Sequence, residues 1–62
     1  MAKISDFPKQ YRKSVRRVSR AFKTDYVTAY RMIVLEALLY DLNPADTEVA
    51  DLLLEGRACG SV

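Results

Sequence analysis

Residues 19–40, SRAFKTDYVTAYRMIVLEALLY, decide the fold. The stretch from Tyr26 onward is apolar at Tyr26, Val27, Tyr30, Ile33, Val34, Leu35, Ala37, Leu38, Leu39 and Tyr40, with Arg31 and Glu36 interrupting it. Asp25 and Asp41 bracket its ends, so a membrane span of about 20 apolar residues does not fit there. The pattern predicts a helix over about residues 25–41, with Thr24 as its N-cap and Asp25 in the first turn, where a carboxylate meets the positive end of the helix dipole. The β-branched run in YVTAYRMIV also admits a strand, because short apolar runs are ambiguous in period.

N-terminal to this stretch, Phe7, Tyr11, Val15, Val18 and Phe22 recur at spacings of three and four and occupy an arc of about 80° on a helix. Lys9, Arg12, Lys13, Arg16, Arg17, Arg20 and Lys23 take the opposite side. This is an amphipathic basic helix over about residues 8–22, with Asp6 able to cap it and Pro8 tolerated in its first turn. Its apolar series continues into Tyr26, Ala29, Ile33, Ala37 and Tyr40. The first two helices therefore either stand apart or run on as one.

C-terminal to the deciding stretch, NPADTEVADLLLEG reads as a third helix over about residues 44–55. Asn43 serves as N-cap, Pro44 as first helical residue, and Asp46 complements the dipole. Val49, Leu52 and Leu53 form its inward face, and Gly56 is a ready stop. The expected architecture is all-α: a small three-helix bundle forming a single domain over residues 1–62, with a frayed tail at 56–62.

A 62-residue chain supports a small core, and its one cysteine, Cys59, allows no internal disulfide. The second helix carries more apolar surface than two short neighbours can cover. A homodimer is expected to complete the fold, with Tyr30, Val34, Leu38 and Leu54 as candidate interface residues.

The chain has no histidine, and its only glycines are Gly56 and Gly60, so histidine catalysis and glycine-rich phosphate loops are excluded. Cys59 lacks a visible base for nucleophilic chemistry. Asp46, Glu48, Asp51 and Glu55 read more simply as a solvated acidic face than as a cation site. A non-enzymatic protein is expected, without cofactor, metal or small-molecule substrate. The first ten residues, MAKISDFPKQ, contain no apolar core of a secretory signal, and the single cysteine suits a reducing compartment; a cytoplasmic location is expected.

Net charge is only +2, but it is unevenly distributed. Residues 1–23 hold eight basic groups and one acid, and residues 24–62 hold two basic groups and seven acids. Such asymmetry points to a polyanionic partner. Lys9–Lys13, Arg12–Arg16, Lys13–Arg17 and Arg16–Arg20 are like-charge pairs four apart, each costing about 0.2–0.5 kcal/mol in an isolated helix. Acids of the third helix could reach Arg12 and Arg17 at the flanks, whereas Lys9, Arg16 and Arg20 lie directly opposite the apolar stripe. The expected function is phosphate contact with nucleic acid, duplex DNA favoured, with modest sequence specificity in a regulatory or accessory role. The nucleic-acid-binding candidates are Lys9, Arg12, Lys13, Arg16, Arg17, Arg20 and Lys23. An acidic protein surface, met by a small inhibitor or adaptor, is the alternative. An anionic membrane surface would require the Phe7–Phe22 stripe to be unburied. RRVS at residues 16–19 resembles a basophilic kinase site, a four-residue match that basic helices produce often.

Overall fold

The computed structural model describes residues 2–60, and side chains as far as Gly56. A 3-10 turn, Ile4–Asp6, precedes three helices: α1 (Lys9–Phe22), α2 (Tyr26–Tyr40) and α3 (Thr47–Gly60). The three pack against one another, and the described residues contain no strand.

The junction between α1 and α2 is a true break. Lys23 adopts the left-handed conformation (φ 53°), and the Lys23 and Thr24 amides both donate back to the Ser19 carbonyl. The Ser19 hydroxyl closes the same turn by donating to the Thr24 carbonyl. This is the usual helix-ending arrangement, here made by a lysine where glycine is commonest. α2 then starts afresh, and its cap is Asp25, not Thr24: the Asp25 carboxylate accepts from the Thr28 amide at 3.0 Å. The Thr28 side chain first, and then the Thr28 amide, hold the Asp25 carboxyl below the ordinary carboxylate range. α2 ends as α1 does, on a left-handed residue, Asp41 (φ 56°), with the Leu42 amide donating to the Ala37 carbonyl.

Three further boundaries differ from the sequence reading. Asp6 caps the 3-10 turn and not α1: its carboxylate accepts from the Lys3 amide at 2.9 Å, while α1 begins after Pro8 without a side-chain cap. Asn43 does not cap α3. It accepts from the Ala45 amide in a tight turn, and Asp46 accepts from the Glu48 amide at the helix start. α3 also passes through Gly56, whose φ is not positive. Of the frayed tail expected at 56–62, residues 56–60 continue α3, and 61–62 lie outside the described residues.

The core consists of Val15 and Val18 from α1, Ala29, Ile33 and Ala37 from α2, and Val49 and Ala50 from α3. Small alanines at the α2 and α3 contacts let the helix backbones approach, and the valines and Ile33 fill the space between. An aromatic cluster extends this core. Phe7 packs edge-on to Tyr26 and at 5.4 Å from the ring of Tyr30, and Tyr11 meets Tyr30 edge-on at 5.3 Å. These geometries suit the ring quadrupoles, and they hold three of the four tyrosines in the packing. Leu53 joins the core as expected, Leu52 is half-buried, and Ala50 contributes where the sequence pattern did not place it.

Among the described residues, one buried side-chain atom is unsatisfied. Ser14 is fully buried on α1, and its hydroxyl has no hydrogen-bond partner. A buried hydroxyl without a partner costs about 1–3 kcal/mol, and alanine is also the better helix former. Ser14→Ala is therefore expected to stabilise the protein by about 1 kcal/mol, raising the melting temperature by about 4–8 °C in a domain of this size. Thermal melting followed by circular dichroism measures it, and a lowered midpoint would contradict the burial of that hydroxyl.

Candidate nucleic-acid interface

α1 turns its apolar stripe inward. Val15 and Val18 have no exposed surface, and Phe7, Tyr11 and Phe22 are half-buried against the core. The stripe that a membrane-surface reading needs free is thus enclosed by α2 and α3. No helix among the described residues is long and apolar enough to cross a membrane.

The cationic side divides into two groups. Lys9, Lys13, Arg16, Arg20 and Lys23 are exposed. None of these five side chains makes a hydrogen bond or ion pair with another described residue. Lys9 and Arg20 are eleven positions apart, or about 16 Å along the helix. Repulsion between Arg16 and Arg20, one turn apart, is relieved only by solvent, salt or a bound anion.

Arg12 and Arg17, at the two edges of this face, are engaged internally. The Arg17 guanidinium donates to the Asp51 carboxylate of α3 at 2.7 Å. Both side chains are well exposed, so the pair contributes at most about 1 kcal/mol. It does fix which side of α1 the acidic helix occupies. Arg12 is held differently from expectation: no acid among the described residues reaches it. Its Nε donates to the Phe7 carbonyl at 3.0 Å, and its Nη2 donates to the Ser5 carbonyl at 3.3 Å. Arg12 therefore fastens the N-terminal segment back onto α1 and helps seat Phe7 against the tyrosines. The signal for this role was absent from helical periodicity, because its partners are backbone carbonyls of a non-helical turn.

The exposed cations border two shallow depressions. One is lined by Arg16, Ser19, Arg20 and Tyr26. The other, between α1 and α3, is lined by Lys13, Arg16, Arg17, Arg20, Ala21 and Leu54. Arg16 and Arg20 line both, so they form the ridge between them. Ser19, the hydroxyl of the kinase-like RRVS stretch, is half-buried in the turn that ends α1.

The four candidate interface residues do not share one surface. Val34 and Leu38 lie one turn apart on the outer side of α2, and Leu38 is 72% exposed. Tyr30 is turned toward Phe7 and Tyr11. Leu54 is half-buried in the α1–α3 groove.

No protein-family model matches this chain, and no curated protein or solved structure gives a significant match.

Proposed function

We propose that the chain is a small non-enzymatic nucleic-acid-binding protein that grips the phosphates of duplex DNA with the exposed face of α1, acting as a homodimer in a regulatory or accessory role in the cytoplasm. The observation that carries this reading is the set of five exposed cations, Lys9, Lys13, Arg16, Arg20 and Lys23, with no carboxylate partner among the described residues. Their spacing suits a strand whose nucleotides rise about 3.4 Å each, so about five phosphates lie within reach of one protomer. Guanidinium groups bind phosphate oxygens with two parallel hydrogen bonds, which favours Arg16 and Arg20 as the central contacts. Few side chains on this face read bases, so contact is mainly to the backbone and specificity is modest.

Binding to a random duplex is expected to fall steeply with salt, with a log–log slope near about −4.5 per protomer for five phosphates engaged. A gel-shift series over ionic strength measures this, and absence of a retained complex at low salt rejects the reading.

The α1–α3 groove favours a second reading. Its cationic rim surrounds Leu54, a combination that fits an acidic protein segment with one apolar anchor. Under that reading, pull-down after nuclease treatment recovers a defined acidic protein, and its binding is lost with Leu54→Glu.

A further inference from the structure

α2 presents a second face that the core does not use. Val27, Leu35, Leu38 and Leu39 are 45%, 65%, 72% and 75% exposed. With half-buried Val34 they form one stripe along the outer side of the helix. Monomeric soluble proteins rarely leave so continuous an apolar surface open. Two charges punctuate it. Arg31 lies toward the N-terminal end among Val27, Val34 and Leu35, and Asp41 closes the C-terminal end one turn beyond Leu38. Both are exposed. They are ten positions apart, about 15 Å along the helix, so they cannot pair within one chain.

We infer that a second copy of this chain covers the stripe, with the two α2 helices antiparallel about a two-fold axis that crosses this face at the level of residue 36. In that register Arg31 meets the partner's Asp41, Val34 meets the partner's Leu38, and each contact occurs twice. The stripe is self-complementary only in this sense: cation at one end, carboxylate at the other, leucines between. A purely apolar peptide would bury the Arg31 guanidinium without a counter-charge, which is costly, whereas the antiparallel copy supplies one. The basic face belongs to α1 and points away from the shared core, so dimerisation leaves both cationic faces free. The inference specifies the face and register of the dimer proposed above and is independent of nucleic-acid binding. Assembly is read by mass and phosphate contact by gel shift, so either can fail alone.

The test is a charge-swap mixture followed by sedimentation equilibrium over a concentration series. Arg31→Glu places like charges at both reciprocal contacts, and so does Asp41→Lys. Each variant alone is expected to dimerise about 100-fold more weakly than the native chain, about tenfold at each contact. Mixed in equal amounts, the two restore opposite charges at both contacts, and a heterodimer of near-native affinity forms. Circular dichroism of each variant establishes that the helices persist. A native chain that stays monomeric throughout overturns the inference, as it would if this face met lipid or another protein instead. Either variant dimerising as well alone as the native chain, or a mixture that fails to associate, overturns it equally.

Discussion

Ile33→Ala is expected to cost about 2–5 kcal/mol of stability, the range for removing a large aliphatic side chain from a packed interior. Among the described residues Ile33 is the largest fully buried side chain, and it belongs to a buried core otherwise made of valines and alanines. A domain of 62 residues has a total stability of about 3–9 kcal/mol at typical values per residue. The loss is therefore a large share of the whole, and the variant should be substantially unfolded near physiological temperature. Urea denaturation followed by circular dichroism measures it. The contrast is Leu39→Ala, six residues along the same helix and 75% exposed. In dilute, monomeric solution that change should fall within about 0.5 kcal/mol of the native chain. Equal losses at the two sites would mean that α2 is oriented differently.

Which side of α1 faces inward was legible in the sequence, because the signal is geometric. Residues Phe7, Tyr11, Val15, Val18 and Phe22 recur at helical spacing, and all five lie in or against the core. The separation of Arg17 from the centre of the basic face was legible for the same reason, since it lies on the flank that an acidic α3 can approach. The helix ends were not legible. Both α1 and α2 stop on left-handed residues, and these are Lys23 and Asp41. Neither is a glycine, so the apolar series appeared to run on through the junction. Gly56 misled in the opposite direction: it sits inside α3, with nothing within 4 Å of where a Cβ would be. A glycine in a helix interior costs roughly 0.5–1 kcal/mol without forbidding the helix. The capping residues were displaced by one to three positions because Thr24, Asp25, Asn43 and Asp46 can all cap. The choice among them depends on which backbone amides the turn leaves free. The clasp made by Arg12 needed knowledge of a 3-10 turn that folds back, which no periodicity encodes. The outer stripe of α2 was legible only as a surplus of apolar residues. That Tyr30 faces inward while Leu38 faces out follows from the packing of Phe7.

Reversing both central arginines, Arg16→Glu with Arg20→Glu, is expected to abolish duplex binding while leaving the fold intact. Two phosphate contacts are lost, and two carboxylates are set against the same strand. At about 0.1 M salt each phosphate contact multiplies affinity by roughly eightfold, so the lost contacts alone account for about 60-fold, and repulsion carries the total to the order of 1,000-fold. The salt slope should flatten from about −4.5 to about −2.7 or less in magnitude. Stability should change little. Both side chains are exposed and make no ion pair with a described residue, and Arg16→Glu turns the repulsive neighbour Arg12 into an attractive one. Circular dichroism on the same samples separates the outcomes. Native helicity with lost binding means that the two guanidiniums face the ligand. Lost helicity would mean that they support the fold, and native binding would mean that the phosphates are met elsewhere. Arg17 offers the internal comparison. It shares the basic helix with Arg16 and Arg20 but is engaged by Asp51. Arg17→Gln should therefore weaken binding far less than a single neutral change at Arg16. That difference can arise only if the free cations, and not the helix's total charge, make the contact.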